Sequence, residues 1–165
     1  MRLHIVHELD APLDAVELAL LSTEFAGLLL AALPIFSSIE TIKHELNGTE
    51  FRRVLRFQAK APLPGFNQKK VTRDMLSWEE DSVYRLGEHV STWNVLPREP
   101  WRKYVRSVGT YRLEALPSGL TRRTVEGSIK VFLPVFGPVV ERMALGEIRK
   151  AYDAEAGALR KLATL

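Results

Sequence analysis

The pair Asn47-Gly48 constrains this chain more than any other feature. That dipeptide accepts the positive φ values of a type I′ turn, which joins two strands into a hairpin. Residues 37–46 and 50–61 flank it as candidate strands. In the second, Phe51, Leu55, Phe57 and Ala59 fall on one face, and Arg52, Arg56, Gln58 and Lys60 on the other. A period of two with one apolar face predicts an antiparallel sheet, one side buried and one side wet.

The rest of the chain can be placed around that hairpin. Residues 3–9 read as a first strand. Asp10-Ala11-Pro12 ends it and opens a helix, since proline suits a first helical turn; Leu13, Val16, Leu20 and Leu21 continue at helical spacing. Ser22 or Thr23 can cap a second helix, whose apolar face is Phe25, Leu28, Leu29, Ala32 and Leu33, and Pro34 stops it. After the hairpin, residues 62–67 read as a loop. Strands are expected over 71–78, 83–96 and 101–116, with turns at Glu79-Glu80-Asp81-Ser82, at 97–100 and at Pro117-Ser118-Gly119. Residues 121–132 form the last strand, with Thr121, Arg123, Val125, Gly127, Ile129 and Val131 inward. A long helix over 139–163 ends the chain, with Val140, Ala144, Ile148, Ala151, Ala158 and Leu162 as its apolar stripe and Glu141 on its polar side. No repeat or linker interrupts this order, so residues 1–165 read as one α+β domain, an antiparallel sheet with helices on one face.

Asp10-Ala11-Pro12, running on to Val16, is similar to the entry into the first helix of the START-like, or helix-grip, superfamily, also called SRPBCC. The resemblance covers nearly the whole chain. Ser91-Thr92-Trp93-Asn94-Val95, and the segment from Leu120 to Gly127 before the long helix, are similar in layout to PRELI/MSF-type phospholipid-transfer proteins and to a bacterial branch of the superfamily. The resemblance implies a curved antiparallel sheet of six or seven strands wrapped on a long C-terminal helix, with two short helices after the first strand. It also implies a cavity between sheet and helix for a hydrophobic small molecule, such as a lipid, quinone or polyketide.

Composition narrows the chemistry. The chain has no cysteine, so disulfides, thiolate catalysis and cysteine-ligated metals are excluded. His4, His7, His44 and His89 are scattered without metal-ligand spacing, and no cofactor or metal is expected. The net charge of +3 is mild, and the basic residues between Arg52 and Arg160 alternate with acids; a nucleic-acid binder gathers them into a stripe, so no nucleic acid is expected. The first eight residues lack a signal-peptide core, and the longest apolar stretch, about 12 residues over 25–36, is too short to span a bilayer. A cytoplasmic protein is expected, and Asn47-Gly48-Thr49 reads as a turn rather than a glycosylation site. The sequence sets no oligomeric state.

The candidate ligand-binding residues are Arg53, Leu55, Phe57, Met75, Trp93, Tyr111, Arg123, Val125 and Met143. Arg53 stands on an apolar strand face, where a charge is costly unless compensated; it binds a ligand carboxylate or phosphate, pairs with a buried acid, or emerges at the sheet end. Arg123 poses the same question, against the alternative of a surface arginine on an edge strand. The aromatic residues and the methionines either line a pocket or fill the core. Phe132, Leu133, Val135 and Phe136 either staple the helix start to the sheet or touch a membrane transiently, Val135 and Phe136 above all. Residues 62–67 are a lid or a plain connection.

There is no Gly-x-Ser-x-Gly elbow, P-loop or dinucleotide fingerprint. The first expectation is therefore a non-enzymatic carrier of a hydrophobic molecule. The alternatives are a protein-interaction module with a filled core, or a cyclase- or hydratase-type cavity enzyme using Glu88 or His89 with Tyr111.

Overall fold

The computed structural model describes residues 1–60 and 76–164. The first strand, β1 (Arg2–Leu9), leads into two short helices, α1 (Leu13–Leu20) and α2 (Phe25–Ala32). Six strands follow: β2 (Phe36–Asn47), β3 (Glu50–Ala59), β4 (Ser77–Arg85), β5 (Val90–Pro97), β6 (Val105–Ala115) and β7 (Thr121–Val131). A 3-10 helix, Trp101–Tyr104, sits between β5 and β6, and α3 (Gly137–Ala163) ends the chain. The strands run β1-β7-β6-β5-β4-β3-β2 in one antiparallel sheet. Strands β2 to β7 are thus a meander, and β1 pairs with the last strand. This is the helix-grip architecture expected.

The hairpin forms where the sequence predicts, but its central residues are Gly48 and Thr49 and only Gly48 has a positive φ, the pattern of a type II′ turn rather than the expected type I′. Asn47 faces Glu50 across the turn, and Gly48 holds a φ of 61°, a conformation glycine adopts without steric cost. The alternation along β3 also holds: Phe51, Arg53, Leu55, Phe57 and Ala59 are buried.

The acidic run 79–82 forms the middle of β4, not a turn. On the outer face, Arg56 pairs with Glu79 at 3.0 Å and Arg52 with Asp81 at 2.7 Å. Acids are poor strand formers alone, but opposite-charge neighbours on an adjacent strand reverse that. The true turn lies at 86–89, where His89 has a φ of 58°. It divides the strand expected over 83–96 into the end of β4 and all of β5.

One end of the molecule is densely filled. Leu9, Val16, Leu20, Phe25, Val125 and Leu159 are each 2% exposed or less, where α1, α2 and the C-terminal half of α3 meet the sheet. Each such side chain contributes about 2 kcal/mol by leaving water. Tyr152, Ala156 and Leu159, at helical spacing, carry the buried face of that half of α3. The N-terminal half differs: Val140, Ala144, Ile148 and Ala151 are only half-buried. The close packing partners of α3 are α1, α2, β7 and β1, not β3, β4 or β5.

Glu141 departs from its expected place on the polar side of α3. It is 4% exposed and accepts the Val131 backbone N–H at 2.9 Å. That hydrogen bond holds its carboxyl below the usual range and pins the start of α3 to the end of β7. No single described helix is long and apolar enough to cross a membrane; α1 and α2 reach that composition only together, across an 87° bend.

Candidate ligand site on the inner face of the sheet

The register lines up inward side chains as rungs across the strands. One rung runs Phe51, Tyr84, Ser91, Tyr111, Val125 and Ile5. The next runs Arg53, Ser82, Trp93, Gly109 and Gly127. The third runs Leu55, Glu80, Val95 and Ser107. The first rung backs onto the filled core. In the second and third, Ser82, Glu80, Val95, Gly109 and Gly127 stay partly exposed although they face inward. The half-buried Leu145, Ile148 and Ala151 belong to the N-terminal half of α3.

Arg53 and Trp93 flank Ser82 on the middle rung. Arg53 is 7% exposed; its Nη1 donates to the Leu20 carbonyl at 3.4 Å, and its guanidinium lies 4.4 Å from the centre of the Phe25 ring. Leu20 ends α1, so its carbonyl belongs to the negative end of the helix dipole. Among the described residues Arg53 Nε has no acceptor and no carboxylate is within ion-pair distance of Arg53. Trp93 is 5% exposed and lies across the next two strands, over Gly109 and Gly127. A Cβ on those glycines would sit 2.3 and 2.6 Å from the indole, so only glycine admits the ring. Trp93 Nε1 also lacks an acceptor among the described residues.

Glu80 stands diagonally from both, one rung away. Burial pushes its carboxyl up to about 7; Glu155 reinforces that shift and Arg53 opposes it. That shift favours the protonated form of Glu80, which donates rather than accepts.

The first rung closes one side. Tyr84 and Tyr111 stack at 6.0 Å, and the Tyr84 hydroxyl donates to Glu17 on α1 at 2.6 Å. His89 Nδ1 contacts the same Glu17 oxygen. Burial raises both phenols, so they stay neutral.

Two shallow clefts lie on the outer side of the sheet: about 210 Å³ beside Arg56, Glu79 and Arg102, and about 430 Å³ beside Arg52, Asp81 and Thr92. The Arg56–Glu79 and Arg52–Asp81 ion pairs line them.

A family model described as "Protein of unknown function (DUF2505)" matches residues 4–162. The chain belongs to the DUF2505 family. No curated protein sequence matches this DUF2505 member. Its fold recurs among solved structures. The Zhui aromatase/cyclase from Streptomyces sp. R1128 superposes with a TM-score of 0.66 at 15% identity, covering 99% of this chain and 93% of that one. Norcoclaurine synthase from Thalictrum flavum gives 0.63 at 16% identity, covering 95% and 84%. A START superfamily protein from Mycobacterium smegmatis gives 0.59 at 16% identity, covering 98% of each chain. At such identities the likeness is one of fold alone, the START-like helix-grip fold.

Within that fold the expected site residues separate. Arg53, Leu55, Trp93 and Tyr111 come together on neighbouring rungs. Phe57 lies one rung beyond, against Phe36 and Trp78 at 5.3 and 5.8 Å. Val125 is fully buried in the filled end. Met143 shares its helix row with Glu147 and Lys150, an ion pair on the polar side of α3. Met75 and the lid expected over 62–67 lie outside the described residues.

Arg123 is 0% exposed on β7, which runs between β1 and β6, so the edge-strand alternative is excluded. It pairs with Glu155 at 3.1 Å and donates to the Tyr152 carbonyl at 2.8 Å. Its charge is already balanced inside the protein. Glu88, expected inside as an acid or base, is exposed in the turn and pairs with Arg85.

Glu80 is the inward group that sequence reasoning missed. The signal was present: Glu79 and Asp81 match the outward arginines of β3, which leaves Glu80 with the opposite parity and therefore inward.

Proposed function

We propose that this protein binds an amphiphilic small molecule, a lipid or a similarly apolar compound. Its apolar body would lie between the N-terminal half of α3 and β3–β6, and its oxygen-bearing end would meet Arg53 and Trp93. The observation that carries this reading is the pair of buried donors on one rung, Arg53 Nε and Trp93 Nε1, that find no acceptor among the described residues. A buried donor left without a partner costs about 1–3 kcal/mol, and an acceptor brought by a ligand removes that cost. A carboxylate or phosphate suits Arg53 best, because it also supplies the missing negative charge. The PRELI-type resemblance favours a phosphate-bearing lipid. The partial exposure of Ser82, Glu80 and Val95 on the inner rungs supports a ligand site over an interaction module with a filled core. A cytoplasmic carrier is the simplest setting for this reading.

One observation favours a second reading. Glu80 has a carboxyl near pH 7 beside a cationic arginine, and an acid–base catalyst works best when its pKa lies near the operating pH. A cyclase- or hydratase-type enzyme would use Glu80 to move a proton on the bound molecule.

Fluorescence titration with cis-parinaric acid and with its methyl ester tests the binding reading. The acid is expected to bind one to one, about tenfold more tightly than the ester. Arg53→Lys, which keeps the charge but loses the two-pronged donor, should shrink that preference. Displacement by lysophosphatidic acid rather than by oleate would identify phosphate as the preferred group. Equal affinity for acid and ester in both proteins would contradict the assignment.

A further inference from the structure

The end of β7 and the start of α3 carry an apolar patch that the ligand site does not use. Phe132, Leu133, Val135, Phe136 and Val139 are 53%, 37%, 87%, 65% and 49% exposed. The alternative expectation, that they staple the helix start to the sheet, fails at these positions. The backbone itself presents the patch. Phe136 N–H donates to the Pro134 carbonyl at 2.7 Å and Gly137 N–H to the Leu133 carbonyl at 3.0 Å. That tight turn holds Val135 at a φ of 67°, a region β-branched residues rarely enter. Its side chain projects into solvent.

What surrounds the patch has a distinct chemistry. The Phe132 N–H donates to the Tyr104 carbonyl at 2.8 Å, which places the 3-10 helix Trp101–Tyr104 beside it. That helix supplies two half-buried aromatic rings, Trp101 and Tyr104, and two exposed cations, Arg102 and Lys103. Lys130 lies two residues before Phe132 and is paired in register with Arg106; both are exposed. Arg142 adds a fifth exposed cation in the second turn of α3. Two of these cations have acidic neighbours: Glu141, buried on the Val131 N–H, lies 3.8 Å from Lys130, and Glu99 lies 3.6 Å from Arg102; Lys103, Arg106 and Arg142 carry the remaining charge.

From this arrangement we infer that the Phe132–Val139 tip docks reversibly on an anionic lipid surface. Bulky apolar side chains enter the acyl boundary, tryptophan and tyrosine settle at headgroup depth, and lysine and arginine hold anionic headgroups. Lysine is depleted in protein–protein interfaces, whereas apolar side chains flanked by tryptophan, tyrosine and cations are the combination an anionic bilayer accepts. The inference is independent of the ligand proposed above, since it uses none of the inner-rung residues.

Co-sedimentation with large unilamellar vesicles tests it. Vesicles of phosphatidylcholine with about 30% phosphatidylglycerol should bind the protein at least about tenfold more strongly than phosphatidylcholine alone, and sodium chloride should weaken that binding. The double variant Val135→Asp, Phe136→Asp should lose at least about tenfold in binding while keeping the same melting curve. Lys103→Glu with Arg106→Glu should abolish the preference for anionic vesicles. Vesicle binding that ignores both variants overturns the inference. So does an absence of vesicle binding accompanied by dimerisation that Val135→Asp, Phe136→Asp removes, which would assign the patch to a second copy of the chain.

Discussion

Glu80 shows at the scale of one residue how the interior is tuned. Its carboxyl is raised from 4.5 to about 7, chiefly by burial. Below pH 4.5 it is protonated in the folded and unfolded chain alike and has no effect on stability. Between 4.5 and about 7 the folded protein keeps a proton that the unfolded chain releases, so stability falls as pH rises. Above about 7 the full cost is present, on the order of 3 kcal/mol. Glu80→Gln should therefore gain stability relative to the wild type between pH 5 and pH 8, by about that amount. Urea denaturation at the two pH values checks this; parallel curves for wild type and variant at both would show that Glu80 ionises freely. A bound anion beside Arg53 should also favour the protonated form, so binding should weaken as pH rises through 7.

The elements are joined by charges that no local pattern displays. Arg123 on β7 and Glu155 on α3 clamp helix to sheet at 3.1 Å, with Arg123 fully buried. Removing one partner of such a pair strands the other and costs about 3–5 kcal/mol, whereas replacing both with apolar residues is nearly neutral. Arg123→Met should destabilise the protein by that amount, and adding Glu155→Leu should restore most of it, as read from denaturant midpoints. A large loss in the double variant would instead give Arg123 a role beyond the clamp. The hairpin at Asn47-Gly48, the parity of β3 and the inner face of β7 were legible because a period of two needs only the strand's own residues. The acidic middle of β4 was not, because Arg52 and Arg56 on another strand make it a strand. Glu141 was misplaced for a related reason: its partner is a backbone N–H on β7. Arg53 stood out as a charge in an apolar row, while Glu80 was hidden inside the misread turn.

Across the whole molecule the two ends of the grip differ. The end built from α1, α2 and the C-terminal half of α3 is filled by side chains such as Phe25 and Leu159. Toward the other end the inner rungs keep partial exposure around two donors without acceptors among the described residues. Filling that end would have required a large apolar residue where Ser82 stands; Gly109 and Gly127 are already covered by the Trp93 indole. On the proposed function, the filled end is the scaffold and the partly exposed inner rungs are the ligand site. Native mass spectrometry after exposure to a total cellular lipid extract tests that claim most directly. The account predicts a one-to-one adduct whose mass identifies an amphiphile with an acidic or carbonyl end, depleted in Arg53→Lys and Trp93→Phe. A spectrum showing only the bare polypeptide, or an adduct held equally by all three proteins, would contradict it.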